Sequence, residues 1–347
     1  MSTANVQVQQ GDKPQPVKTG NTNEPDYVRL SNGVLMPLIG YGTFQLQDAD
    51  MVKQALEVGY RHLDCASLYG NQELVGRGIA SWIAADPSKN KREDLFVTSK
   101  IFNDEHRPEL LRKSAEKSIA ELGTKYLDLL LLHWPNAFKP GSGSSFHGDV
   151  CPAEGEKPPG CVVFDDEVTH EQTWRAMEKL VDDGLVRCIG LSNFSHKEVT
   201  HICNIARIKP TINEIELHPF LAQKEFVAWC ASMGVTCLAY GPLGGPNAYL
   251  PNDLLPHPTV TKVAQEAGKT NGRILVKWSV QRGVPVLVKT GTASRLKENL
   301  WGMMDYKLTD EQMAALDSLE NGKRLVTVPW KKWETEPVPD PVPSTKA

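Results

Sequence analysis

No stretch of this 347-residue chain approaches the roughly 20 consecutive apolar residues of a membrane span, and the first 25 residues lack the apolar middle of a secretory signal. A cytosolic location without membrane contact is expected. Charge of one sign is equally scarce: the formal net charge is -4, which offers no electrostatic footprint for nucleic acid or acidic lipid. No C-x-x-C pair occurs, and the 7 cysteines are an odd number in no dense framework, so reduced thiols that mostly fill the core are expected. His147, Cys151, Cys161 and His170 are of types that zinc accepts, but their spacing fits no compact zinc motif, and no metal is expected. Also missing is G-x-G-x-x-G, the phosphate turn of an open dinucleotide-binding sheet. The nearest lookalike, "AGKTNG" at 267–272, has Val263 where a phosphate loop needs glycine and follows a helix, so it reads as a helix cap.

What is present is the composition of an ordinary globular protein, 40% hydrophobic and 23% charged, with length enough for one β/α barrel. Residues 1–25 are polar and without periodicity and should be disordered, residues 26–322 should form the barrel, and the Pro-rich residues 323–347 should be a C-terminal loop and tail. Asn32-Gly33, set between apolar runs, signals a tight hairpin. Eight strands are predicted at 38–44, 60–66, 95–101, 126–133, 186–192, 211–217, 236–242 and 285–290. Amphipathic helices separate them, for example one carrying Leu111, Ala115, Ile119 and Leu122, and another carrying Trp174, Met177 and Leu180 and stopping at Gly184. Eight alternating units predict a parallel sheet closed as a (β/α)8 TIM barrel, with an N-terminal β-hairpin, a long loop after strand four and an extended C-terminal loop.

A barrel gathers its site at the C-terminal ends of its strands. Those ends carry Asp64, Lys100, His133, Ser192 with Asn193, Glu214 with Glu216, Tyr240, and Lys289 with Thr290. One polar strand end means little, but a polar group on nearly every one points to a site. Tyr69, Lys100 and Asp64 are the parts of an acid: a phenol, an ammonium expected to lower its pKa, and a carboxylate to hold the ammonium charged. His133 could aim a ring N–H at a carbonyl oxygen. No side chain supplies hydride, so such an acid implies a nicotinamide cofactor. Lys289, Thr290, Thr292 and Arg295, in the turn after strand eight, suit phosphate, and two cations there suggest the extra phosphate of NADP.

The chain resembles the aldo-keto reductase family from about Asp26 to Gly322, in "LDCASLYGNQELVG", "VTSKI", "YLDLLLLHWP", "GLSNF", "AYGPLG" and "VKTGTASRLKEN". The resemblance implies a catalytic tetrad of Asp64, Tyr69, Lys100 and His133 and an NADPH/NADP+ cofactor. It implies that Ser192, Asn193 and Glu214 hold the carboxamide, Tyr240 stacks on the nicotinamide, and Gly241 and Leu243 line the pyrophosphate. Lys289, Thr290 and Arg295 would then meet the 2′-phosphate, with Thr292 a further cofactor contact in the same turn, and Glu298 and Asn299 would lie near the adenine. Thr43, Phe44 and Asp64 complete the implied cofactor contacts, while Phe44, Tyr69, His133 and Trp134 would line the substrate pocket. Several positions depart from the family pattern: Glu214 stands where glutamine is usual, Gln72 and Leu74 where acids are common, Gly241 and Thr290 where serines are common, and Phe44 where many relatives have tryptophan.

The expected activity is reduction of an aldehyde or ketone by NADPH, reversible with NADP+, on small hydroxylated carbonyls such as glyceraldehyde, aldoses or uronates, by a monomer. The insertion at 136–167 is long enough to be a functional lid or a partly disordered segment, and Trp330 and Trp333 of the tail could reach substrate or simply pack. The alternative is an NADPH-binding, redox-sensing regulatory barrel with weak turnover. A metal-dependent hydrolase is disfavoured, because only His133 is offered at the strand ends.

Overall fold

Short apolar strands that hold their side chains on both faces need cover on both faces, and a closed barrel ringed by helices provides it. The computed structural model describes residues 16–17, 26–141, 148–152, 160–245, 252–301, 306–334 and 337–340. Three short strands come first: β1 (Pro16–Val17), β2 (Tyr27–Arg29) and β3 (Leu35–Pro37), paired antiparallel in the order β1-β2-β3. β1 falls inside the segment expected to be disordered; the rest of residues 1–25 lies outside the described residues. The β2–β3 hairpin turns at Gly33, whose φ of 86° suits a residue without a Cβ.

The barrel follows as β4 (Ile39–Gly42), β5 (His62–Asp64), β6 (Phe96–Ile101), β7 (Leu127–Leu132), β8 (Val186–Ser192), β9 (Ile212–Glu216), β10 (Thr236–Tyr240) and β11 (Val286–Val288). All eight pair in parallel, and β11 closes on β4. The predicted strands are all found, trimmed by a residue or two at their ends where the chain bends into loops. The helices are α1 (Ala49–Val58), α2 (Gln72–Ala85), α3 (Pro108–Glu121), α4 (His170–Asp182), α5 (His196–Ile205), α6 (Lys224–Ser232), α7 (Pro258–Ala267), α8 (Asn271–Gln281), α9 (Ala293–Trp301) and α10 (Asp310–Asp317). Their starts are specified locally: Thr169 and Gln172 form a capping box on α4, Ser195 and Glu198 one on α5, and Pro108 opens α3.

β7 shows how sequence becomes wall. Its five leucines (127, 129, 130, 131 and 132) are each 0% exposed, and full burial of each contributes about 1.5–3 kcal/mol. Asp128, alone among them, is buried but satisfied: its carboxylate accepts from Arg92 at 2.7 Å, Arg187 at 2.7 Å and the Val97 amide at 2.9 Å. Val28, Leu30, Met36 and Leu38 of the hairpin region cluster with Phe96, Leu129, Leu131, Ile212 and Leu238, which fills the barrel from its N-terminal end. The opposite rim is left for polar groups.

One cysteine expectation is corrected. Cys65, Cys188, Cys203, Cys230 and Cys237 are free and buried, but Cys151 and Cys161 are joined as a disulfide. The insertion folds back on itself there, with the Cys151 amide donating to the Val162 carbonyl at 2.8 Å, which brings the two Cα atoms to 5.0 Å. Neither thiol is then a zinc ligand, and His147 lies outside the described residues. Among the described residues no group of three or more His, Cys, Asp or Glu could hold a metal ion, and no helix is long and apolar enough to cross a membrane.

Candidate active site

The C-terminal ends of β5 and β6 bring Asp64 and Lys100 together, although they are 36 residues apart in sequence. Lys100 is 0% exposed, and its Nζ donates to Asp64 Oδ1 at 2.5 Å, to the Cys65 carbonyl at 3.1 Å and to the Tyr69 hydroxyl at 3.3 Å. Tyr69 arrives on the 3-10 turn Ser67–Tyr69, which ends at Gly70 in the left-handed region (φ 63°). Glu105 fixes that turn by accepting from Ser67 Oγ at 2.9 Å and from the Phe102 amide at 3.1 Å. Glu214, from the middle of β9 and level with Ser192 at the end of β8, faces the same ammonium with Oε1 at 3.4 Å.

Burial by itself would lower the Lys100 ammonium, but Asp64, Glu214 and Tyr69 together hold it well above its ordinary value, so it stays charged. Burial raises the Asp64 carboxyl, with Lys100 pulling the other way. For Tyr69 the sequence expectation is only half met: Lys100 does pull the phenol down, but burial pushes it further up, so the net direction is upward. Burial, then the Lys100 charge, drives the His133 imidazole well below its usual range, which leaves it neutral. His133 packs edge-on against Tyr69, ring centroids 5.9 Å apart, and its buried Nδ1 has no partner among the described residues. A phenol within reach of a buried ammonium, beside a neutral imidazole, can protonate a carbonyl oxygen once the ammonium stabilises the phenolate left behind.

Beside this cluster, Asn193 sits at φ 63°, a conformation that asparagine tolerates better than most residues. Its amide donates to the His133 carbonyl at 3.0 Å and to Ser192 Oγ at 3.1 Å, and accepts from the Tyr240 hydroxyl at 2.8 Å. Ser192 and Glu214 are partners across β8 and β9, and the Tyr240 hydroxyl joins them through Asn193, although in the strand register Tyr240 itself pairs with Glu216. Thr43 donates to the Asp64 carbonyl at 2.7 Å, and the exposed ring of Phe44 lies 5.0 Å from that of Tyr69. Gly241, at φ 64°, and half-buried Leu243 continue from Tyr240.

A second patch lies beyond β11. Thr292 and Arg295 are exposed, Lys289 is half-buried, and neither cation forms an ion pair among the described residues. Buried Thr290 accepts from the Thr292 amide at 3.0 Å, and Tyr41 donates to its carbonyl at 2.7 Å. Glu298 accepts from the Thr270 hydroxyl, and Asn299 is buried.

The chain belongs to the aldo/keto reductase family. The family pattern matches residues 38–321. The chain is 40% identical over 308 residues to Aldo-keto reductase family 1 member A1-A of Danio rerio, covering 86% of this chain and 91% of that one. It is 39% identical over 322 residues to Aldo-keto reductase family 1 member A1 of Gallus gallus, covering 90% of this chain and 94% of that one. The solved structure of the aldose reductase from Schistosoma japonicum superposes with a TM-score of 0.75 at 38% identity, over 85% of this chain and 92% of that one. This aldo-keto reductase is therefore an oxidoreductase acting on small-molecule carbonyl compounds.

Several features of the rim escaped the sequence. Gln72, one of the departures, accepts from Ser99 Oγ at 2.6 Å and donates to Ser118 and Glu121, each at 3.0 Å, so it anchors the strand that carries Lys100. Glu216 faces the C-terminal segment: its carboxylate accepts from the backbone amides of Leu325 at 2.6 Å and Val326 at 3.1 Å and lies 2.9 Å from His218 Nε2. That segment delivers Trp330, 3% exposed, against Trp134 (centroids 4.9 Å) and Phe138 (5.1 Å), and half-buried Trp333 against Trp134 (5.9 Å). Packing is what Trp330 does. Val162 of the insertion joins the same aromatic cluster, so the insertion and the tail meet over one side of the rim.

Proposed function

We propose that this aldo-keto reductase reduces an aldehyde or ketone to the alcohol with NADPH, and runs the reverse oxidation with NADP+. The observation that carries the reading is the convergence of Lys100 Nζ on Asp64 (2.5 Å) and on the Tyr69 hydroxyl (3.3 Å), beside a neutral His133. A nicotinamide, when bound, supplies the hydride that no side chain can. The residues fit such a group. Glu214 Oε2 is a buried acceptor with no partner among the described residues, suited to a carboxamide N–H, and Ser192 and Asn193 beside it would complete the grip. Tyr240 would meet the ring, Gly241 and Leu243 the pyrophosphate, and Thr43, Phe44 and Asp64 the neighbouring end. Lys289, Thr290, Thr292 and Arg295 would hold the 2′-phosphate, and Glu298 and Asn299 the adenine.

In this reading Tyr69 donates its proton to the carbonyl oxygen. Because burial makes its phenol a weaker acid, Lys100 has to stabilise the phenolate left behind, and Asp64 keeps that ammonium in place. His133 donates a ring N–H to the same oxygen and orients the carbonyl. Phe44, Tyr69, His133 and Trp134 form the pocket. Small hydroxylated carbonyls such as glyceraldehyde, aldoses or uronates are the proposed substrates, in keeping with a relative named as an aldose reductase and with the polar, Pro-rich insertion near the mouth. The proposed setting is a monomer in the cytosol.

The test is NADPH consumption, followed by absorbance, with a panel of small aldehydes, sugars and uronates, beside Tyr69→Phe. Turnover that collapses in the variant while NADPH still binds is the expected result. A wild-type protein that binds NADPH and reduces none of the panel would sink the reading in favour of a redox-sensing barrel.

A further inference from the structure

One ammonium balances one carboxylate, yet Lys100 is faced by two carboxyl groups, Asp64 at 2.5 Å and Glu214 at 3.4 Å, which are 4% and 3% exposed. If both were ionised, the buried rim would carry an uncompensated negative charge, which is costly in a medium that solvates ions poorly. The one other cation facing this part of the rim among the described residues, Arg324, lies beside Tyr240 and Glu216, and so answers the Glu216 carboxyl two residues further along β9 and not the Asp64 and Glu214 pair. Tyr69, following β5, and Tyr240, ending β10, are phenols raised by burial, and Cys65 is a thiol pushed by burial up to about 12. His133, following β7, is neutral. The proton therefore belongs on one of the two acids, and distance to the ammonium decides which, because Asp64 holds the shorter contact. Glu214 also lies within hydrogen-bonding reach of Asp64, so a proton on Glu214 can be donated to the neighbouring carboxylate, whereas two anions there would only repel. In agreement, burial and then the Asp64 charge push the Glu214 carboxyl up to about 8, against the pull of Lys100.

The consequence concerns the two oxidation states of the cofactor, and it rests on the proposed reading that Ser192, Asn193 and Glu214 hold the nicotinamide carboxamide. The reduced ring is uncharged and the oxidised ring is a cation. We infer that Glu214 keeps its proton beside the reduced ring and releases it to solvent beside the oxidised ring, and so sets by pH which form of the cofactor this enzyme prefers. The carboxylate left by that release pairs with the cationic ring, while Asp64 continues to neutralise Lys100. At low pH Glu214 is neutral in both complexes and does not discriminate. As pH rises, the NADP+ complex loses the proton first, so NADP+ tightens relative to NADPH until Glu214 is ionised in both. An opposite charge this near shifts a carboxyl by about one to two pKa units, so the affinity ratio should change about ten- to a hundredfold across the window. A glutamine at this position holds no proton and would give no such change.

The experiment measures dissociation constants of NADP+ and NADPH by quenching of protein fluorescence, from about pH 6 to about pH 10, which spans the Glu214 value. It is run on the wild type, Glu214→Gln and Tyr69→Phe. The ratio of the two constants cancels groups that respond equally to both forms, the 2′-phosphate included. The expected result is a ratio that moves at least about tenfold in the wild type and in Tyr69→Phe and stays flat in Glu214→Gln. A pH indicator in weak buffer supplies a readout that needs no variant: near pH 8, mixing wild type with NADP+ should release more protons than mixing it with NADPH. A flat wild-type ratio, equal proton release, a slope that survives Glu214→Gln, or one that vanishes in Tyr69→Phe overturns the inference and leaves the proposed function standing. Failure of both forms to bind overturns both.

Discussion

Replacing Lys100 by methionine keeps most of the volume of the buried stem and removes the charge that, in the proposed mechanism, stabilises the Tyr69 phenolate. The ammonium lies 3.3 Å from the Tyr69 hydroxyl, and at an effective dielectric of about 20 a full phenolate charge there is stabilised by roughly 5 kcal/mol. In a transition state with the proton about half transferred, about 2–3 kcal/mol of that is realised, so kcat should fall about 30- to 150-fold. The variant also strips Asp64 of its counter-ion, and breaking a buried pair costs about 3–5 kcal/mol unless the carboxyl takes up a proton. The comparison is therefore made with the double variant Lys100→Met/Asp64→Asn, which removes both charges and should recover thermal stability without recovering kcat. The assay is single-turnover reduction of a small aldehyde at saturating NADPH, with melting followed in parallel. A folded Lys100→Met protein whose kcat stays within about threefold of wild type would refute the assigned role of Lys100.

Other perturbations have different readouts. Glu216→Ala removes the acceptor of the Leu325 and Val326 amides, so the tail that seats Trp330 on Trp134 should loosen; KM is expected to rise several-fold with kcat little changed, and unchanged KM would show that the tail does not shape the pocket. Cys151→Ser opens a bridge that spans 10 residues, for which loop-closure entropy sets an upper limit of about 3 kcal/mol; faster proteolysis of the insertion, in the variant or on adding reductant, is the expected sign. His62 and His106 are pushed by burial down to about 3, so their neutral forms support the fold above the ordinary value of 6.5. That support is lost as pH falls toward 3, because the unfolded chain binds protons that the folded one refuses. The melting temperature should therefore fall steadily below about pH 6.5, and less steeply in His62→Gln; equal slopes would place the acid sensitivity elsewhere.

Much of the rim was readable because a β/α barrel turns order along the chain into position in space. The C-terminal ends of parallel strands open onto one rim, so Asp64, Lys100, His133, Ser192, Asn193, Glu214 and Tyr240 could be gathered from residues at or near those ends. Tyr69 was readable for a related reason, since five residues after Asp64 allow one short turn back over the strand end. Glu216 was not. It ends the same strand as Glu214, but period two cannot say that one carboxyl meets Lys100 while the other accepts from the tail, which depends on a segment about 110 residues away. The Cys151–Cys161 bridge was missed because two cysteines ten residues apart in a polar loop pair only if the loop folds back, and no periodic signal announces that.

By itself the amino-acid order determined the alternation of strand and helix, the caps and turns that bound them, and hence the eight-stranded closure and the face on which chemistry had to sit. Those are local or nearest-neighbour properties, set by hydrophobic period and short-range hydrogen bonds. Tertiary structure decided the electrostatics. Whether Lys100 lowers the Tyr69 phenol depends on the balance between burial and charge, and burial wins. Whether Glu214 carries a proton depends on Asp64 and Lys100, which other strands bring to within a few ångströms of it. Ionisation energies fall off with distance and grow as water is excluded, and neither quantity exists until the barrel has closed.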